Sequence, residues 1–116
     1  MKLSVIIPVL REQATIRKTL HQLQSQLPNA EFVVVDGDPT GSSIACLDKT
    51  DTIICLTAAA GRGAQINRGL ATAQGDLLMV LHLDSTLTPL ALKSIQELAS
   101  REPFFACFHL AFDESA

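Results

Sequence analysis

The chain has 116 residues, 47% of them hydrophobic and 18% charged, with a formal net charge of −3. That balance fits one domain large enough to bury a core without staples, and it excludes a disordered chain. The basic residues are scattered and outnumbered by acidic ones, so the footprint of a nucleic-acid binder is missing.

The amino terminus, Met1-Lys2-Leu3-Ser4-Val5-Ile6-Ile7-Pro8, starts like a signal peptide. Pro8 and Arg11-Glu12 cut the apolar run, however, and no small-residue cleavage site follows. No apolar stretch approaches the roughly 20 residues needed to span a bilayer. These features predict a soluble, cytoplasmic protein and leave a peripheral membrane contact open. Cys46, Cys55 and Cys107 form no C-x-x-C pair, which disfavours a zinc site or a disulfide framework. They are expected to act as small buried hydrophobes.

Leu3 to Ile7 reads as a central parallel strand closed by Pro8. From Thr15 the period changes: Ile16, Leu20, Leu23 and Leu27 recur at helical spacing until Pro28-Asn29 stops the helix. Glu31 to Asp36 is a second buried strand, and it ends in Gly37-Asp38-Pro39-Thr40-Gly41-Ser42-Ser43, a loop dense in turn residues. A short helix near Ile44 to Leu47 and a third strand over Asp51 to Leu56 follow. Thr57 to Gly63 reads as a small-residue loop before a helix from about Ala64 to Ala73. Asp76 to Ser85 then reads as a buried strand, Leu77 to Leu81, running into a polar tip with His82 and Asp84. Pro89 suits the first position of a helix presenting Leu92, Ile95 and Leu98. Phe104 to Phe112 reads as a last strand. The alternation predicts one α/β domain with a mostly parallel sheet and helices on both faces.

Two strands end in carboxylates, Asp36 and Asp84, along the same edge of such a sheet, where ligands of open α/β folds bind. Carboxylates there accept hydrogen bonds from hydroxyls or a base N–H and can hold a divalent cation. Asp84, Ser85 and Thr86 also read as a simple cap for the next helix. His82, two residues before Asp84, would face the same way on a regular strand, as a ligand or as a half-buried structural histidine. Gly61-Arg62-Gly63 ahead of a helix suits an anion, with Arg62 adding a charge-assisted contact, or is merely a flexible loop. The first turn lacks G-x-G-x-x-G, and the chain has neither a P-loop nor a G-x-S-x-G elbow.

Taken together, Ser4-Val5-Ile6-Ile7-Pro8, Glu12, Thr15-Ile16 and Val34-Val35-Asp36-Gly37 with Ser42 resemble the opening of family 2 glycosyltransferases of the GT-A fold. Gly61-Arg62-Gly63-Ala64-Gln65-Ile66-Asn67, with Gly69, Ala73 and Gly75-Asp76, is similar to that family's next block. Leu81-His82-Leu83-Asp84-Ser85 falls where the family has its D-x-D motif. The G-R-G-x-Q-x-N and H-x-D forms most resemble a bacterial subgroup labelled as arsenosugar-biosynthesis-type glycosyltransferases.

The resemblance implies a three-layer α/β/α, Rossmann-like GT-A fold that binds a nucleotide-diphospho-sugar, a UDP- or GDP-sugar, for transfer of the sugar to an acceptor hydroxyl. By the same resemblance Pro8 and Glu12 would border the nucleotide pocket and Asp36 would bind the nucleobase. Arg62 and Asn67 would lie beside the nucleotide. Asp84 would coordinate Mg²⁺ or Mn²⁺ on the diphosphate, and His82 replaces the first Asp of the motif. Family members continue into an acceptor-binding half that carries the catalytic base. The expectation is therefore a truncated, single nucleotide-sugar-binding domain over residues 1–116, in which Asp113 and Glu114 are tail residues. The rival reading is a non-catalytic remnant whose uncovered apolar face, with Phe104-Phe105-Ala106-Cys107-Phe108, pairs with a second copy or a partner chain. A nucleotidyltransferase fits less well, because the first loop lacks a glycine-rich, basic sequence for a triphosphate.

Overall fold

The computed structural model describes residues 2–47, 50–83 and 87–99. In chain order the elements are β1 (Leu3–Val9), α1 (Ile16–Gln26), β2 (Glu31–Asp36), a 3-10 turn (Ile44–Cys46), β3 (Ile53–Thr57), α2 (Arg62–Thr72), β4 (Leu77–Val80) and α3 (Pro89–Ala99). The strands form one sheet in the order β3-β2-β1-β4, and every pairing is parallel.

Because side chains alternate along a strand, the sheet sorts its core into two layers. On one face Val5, Ile7, Val9, Phe32, Val34 and Met79 pack with Ile16, Leu20 and Leu23 of α1 and Ile95 of α3. Ile6, Val33 and Val35 form the core of the other face. There α2 sits so close that a Cβ on Gly69 would stand 2.6 Å from Ile6 Cγ2. The buried residues of α2 are Gln65 and Gly69, so this helix is seated by close backbone approach rather than by apolar bulk. Helices thus cover both faces of the sheet, the layering that the alternating pattern predicts.

β2 and α1 fall where the sequence puts them. β1 differs, running through Pro8 to Val9. Ile6 O accepts the Leu81 N–H on the β4 side, and Val9 O accepts the Gly37 N–H on the β2 side. The missing N–H of Pro8 therefore falls on the β4 side, past Val80, the last β4 residue paired with β1. Pro8 removes no ladder bond, which is why a central strand tolerates it.

α2 begins at Arg62, earlier than the predicted Ala64. Gly61 is its N-cap at φ 136°, a conformation open to glycine, so the residue that reads as loop is the one that turns the chain into the helix. β4 also needs correction. It is a strand of four residues, and Leu78 is 44% exposed. α2 packs mainly over β1 and β2, so on that face of β4 Val80 is partly buried against the smaller core layer while Leu78 stays exposed. Since β4 ends at Val80, His82 lies beyond the strand, and the strand geometry expected to align it with Asp84 does not reach it. At α3 the Ala91 N–H donates to Thr88 Oγ1 at 3.1 Å and Pro89 takes the first helical position, as expected. Cys46 and Cys55 are half-buried against the larger core layer rather than fully buried. Asp84, Cys107, the strand expected over 104–112, Asp113 and Glu114 lie outside the described residues.

Candidate functional site

From β1 the chain steps outward to β2 and β3, and α2 then carries it back to the far side of β1. At such a reversal of strand order a crevice opens beyond the carboxyl ends of the strands. A cleft of about 130 Å³ lies there. Pro8, Val9, Leu10 and Glu12 line it from the end of β1, Arg62 and Gln65 from the first turn of α2, and His82 from beyond β4. Pro8, Glu12, Arg62 and His82, far apart in the sequence, meet in this one cleft. Pockets that enclose a whole small ligand run to roughly 300–1,000 Å³, so this cleft is one subsite, the size of a diphosphate or a single ring.

The positive charge in the cleft comes from α2, facing the Glu12 carboxyl on the β1 side. The first turn of α2 carries no acidic residue and its N-cap is glycine, with no side-chain cap. The positive end of the helix and the exposed Arg62 guanidinium therefore stand together, an arrangement that favours an anion.

Asp36 stands at the end of β2 with 0% exposure and does not line the cleft. Its Oδ1 accepts the Asp38 N–H at 2.9 Å, and its Oδ2 accepts the N–H of Ser43 at 2.8 Å and of Ile44 at 3.3 Å. Ser43 Oγ in turn accepts the Glu12 N–H at 2.9 Å. The carboxylate thus builds the loop after β2 and, through Ser43, fixes the wall of the cleft that carries Glu12. Asn67 is exposed, and at about 100° per residue it lies roughly 200° around the helix from Gln65, away from the cleft. Asp84 lies outside the described residues.

Asp38 accepts hydrogen bonds from Ser42 Oγ at 2.7 Å, Thr40 N at 3.0 Å and Thr40 Oγ1 at 2.9 Å. The Ser42 bond foremost, then those from Thr40 and the charge of Arg11, hold its carboxyl below the ordinary carboxylate range. The ionised form is the one the fold favours. Its stabilisation is complete above the unfolded-state pKa and is lost as pH falls through the lower folded-state value. A carboxyl ¹³C titration should place the Asp38 midpoint below that of an unstructured aspartate, and Ser42→Ala should raise it. A midpoint unmoved by Ser42→Ala would contradict this assignment.

Gln65 is a site residue that the sequence reading quotes but gives no role. It is 5% exposed. Its Nε2 donates to Val9 O at 2.8 Å and Val35 O at 2.9 Å, and its Oε1 accepts the Gly61 N–H at 3.3 Å. The signal available was positional: Gln65 stands four residues before Gly69, on the face of the helix that meets the sheet.

For a metal, no group of three or more His, Cys, Asp or Glu side chains able to hold an ion occurs among the described residues. Within the cleft the donors suited to a cation are Glu12 and His82. No described helix is long and apolar enough to cross a membrane.

Comparison with known proteins adds the family. The family described as glycosyl transferase family 2 matches residues 4–115. "Protein RfbJ" of Shigella flexneri is 24% identical over 84 residues, a match that spans 72% of this chain and 65% of that protein. No solved structure gives a significant match. A parallel α/β sheet, a cleft at its strand-order reversal and a family match over nearly the whole sequence agree, and the chain belongs to glycosyltransferase family 2.

Proposed function

We propose that this cleft receives the diphosphate of a nucleotide-sugar donor, and that the reaction it serves transfers the sugar to an acceptor hydroxyl. The observation that carries the reading is the convergence of Pro8, Glu12, Arg62 and His82 at the strand-order reversal, under the positive end of α2. In that transfer the bond between the sugar's C1 and the diphosphate oxygen breaks, a bond from C1 to the acceptor oxygen forms, and the acceptor hydroxyl's proton passes to a general base. The electron pair leaves on the diphosphate, so groups that stabilise negative charge there lower the barrier. Arg62 and the N-terminal amides of α2 do this by attraction and hydrogen bonding, and Pro8 offers the ligand an apolar wall without an N–H.

A Mg²⁺ or Mn²⁺ ion fits this donor set, because such a cation needs only one or two protein carboxylates when phosphate oxygens and water complete its shell. Asp84 would hold it, with Glu12 and His82 beside it in the cleft, and the bound ion would neutralise charge on the leaving diphosphate. The G-R-G-x-Q-x-N and H-x-D forms support a place near the arsenosugar-type subgroup. Asp36 would meet the nucleobase only if the loop it holds together opened to expose it. The 44% exposure of Leu78 on β4 favours a second reading, self-association through that face.

The deciding experiment is a thermal-shift titration with UDP, GDP and their sugars, with Mn²⁺ or EDTA, on the wild type and Asp84→Asn. A ligand at about 100 times its Kd should add roughly 2.7 kcal/mol of stability. The shift should need metal and vanish in Asp84→Asn. No shift with any nucleotide, together with a concentration-dependent dimer in size exclusion, would replace the donor reading by the association one.

A further inference from the structure

We infer that Gln65 is the positioning residue of the donor cleft: it clamps the first turn of α2, and with it Arg62, onto the carboxyl ends of β1 and β2. The inference rests on the donor-binding reading above for its ligand, and on the hydrogen bonds alone for the clamp.

A primary amide has two N–H donors and one carbonyl, and Gln65 has partners for each. The two donors go to two different strands, Val9 O in β1 and Val35 O in β2, and the carbonyl goes to Gly61, the N-cap of its own helix. Val9 O already accepts the Gly37 N–H at 2.9 Å, so Gln65 uses a second lone pair of a carbonyl at the ladder's end. The buried amide is fully satisfied, which fixes its rotamer and the azimuth of the helix that bears it. Gly37 closes the other side: a Cβ there would stand 2.9 Å from Gln65 Oε1 and 3.0 Å from its Cδ. One turn towards the N-terminus, at i−3, Arg62 lies on the same flank of the helix and lines the same cleft. Arg62 itself is exposed. Its place over the cleft depends on the turn beneath it, and Gln65 holds that turn.

Met fills much the same volume against the sheet without the amide's three hydrogen bonds. A merely structural Gln65 could therefore be replaced by the similarly shaped Met at little cost to ligand binding. A positioning Gln65 could not. The two cases separate in a double-mutant cycle read as nucleotide affinity, at a temperature where circular dichroism shows every variant folded. The probes are UDP and GDP, measured by calorimetry, with whichever the wild type binds used throughout. Gln65→Met is expected to raise Kd about tenfold, and Arg62→Ala about 10- to 30-fold, the range of a charge-assisted phosphate contact. In the Gln65→Met background, Arg62→Ala should add no more than about threefold, because the guanidinium is already displaced. Gly37→Ala should mimic Gln65→Met by pushing the amide aside.

Wild-type affinity in folded Gln65→Met, or full additivity with Arg62→Ala, would overturn the inference while leaving the donor reading intact. If the wild type binds neither nucleotide, the donor reading fails, and amide hydrogen exchange decides the clamp by itself. Protection of the Gly61 and Gln65 amides should then fall about tenfold in Gln65→Met relative to the amides of Ala71 and Thr72. Unchanged protection would dismiss the clamp.

Discussion

Asp36→Ala should lower the free energy of unfolding by about 3–5 kcal/mol in a urea titration, because it strands the buried Ser43 N–H and the partly buried N–H groups of Asp38 and Ile44, which now bond to a carboxylate. Two of the three bonds to this carboxylate are short, 2.9 and 2.8 Å, and the side chain is sealed from water. Net values for hydrogen bonds to charged groups run to about 1.5–3 kcal/mol each, and a buried donor left alone costs about as much. Asp36→Asn keeps the shape and one accepting oxygen, but turns an NH₂ towards an N–H that needs an acceptor. It should lose roughly half as much, about 1.5–3 kcal/mol. The damage should also travel. Ser43 is held by Asp36 and itself holds the Glu12 N–H, so folded Asp36→Ala should bind nucleotide less tightly although Asp36 does not line the cleft. A loss of under about 1 kcal/mol would mean that water replaces the carboxylate and that the loop stands without it.

The periodic elements were legible in the sequence because their causes are local. β2 is a run of buried residues between turn signals, and α1 carries its apolar residues at helical spacing before Pro28-Asn29; both appear as read. What escaped the reading depends on neighbours far along the chain. Pro8 looks like a strand terminator, yet it sits inside β1 because β4, some seventy residues later, ends before reaching it. Leu78 belongs to an apolar run and reads as buried, yet its exposure is set by the distance to which α2 extends across the sheet. The site shows the same division. The motif resemblance names Pro8, Glu12, Arg62 and His82, and the fold brings these four to one cleft. Asp36 was legible as an acid at a strand end, but the direction of its carboxylate was not, because Asx-type bonding to the following loop competes with any outward role. Gln65 escaped because a glutamine inside a helix carries no pattern of its own. Its meaning comes from Val9 and Val35, two strands distant in sequence.

Gly75→Ala should cost about 3–5 kcal/mol: overpacking of about 1–3 plus the loss of a partly buried hydrogen bond of similar size. The added Cβ would stand 2.5 Å from Ser4 Oγ, 2.8 Å from Lys2 O and 2.8 Å from Ser4 N. Two of those atoms are backbone, and the backbone there is pinned. Lys2 O accepts the N–H groups of Asp76 at 2.8 Å and Leu77 at 3.0 Å, starting the β1–β4 ladder. Relief by moving the loop would break the Gly75 N–H bond to Ser4 Oγ and the Gln74 N–H bond to Glu31 Oε2. Glu31 is 3% exposed and also accepts the Ser4 hydroxyl at 2.6 Å, so losing a donor leaves a buried carboxylate short of partners. Ser4→Ala in the same chain should remove little of the added penalty, since the clashes with Lys2 O and Ser4 N remain. The cluster sits at the amino end of the sheet and the cleft at the carboxyl end. Gly75→Ala, measured cold enough to stay folded, should therefore lose stability while keeping the wild-type nucleotide Kd. Asp36→Ala should lose both. A Gly75→Ala protein as stable as the wild type would show that the β1–β4 junction yields, and one with weakened binding would show that the two ends of the sheet are coupled.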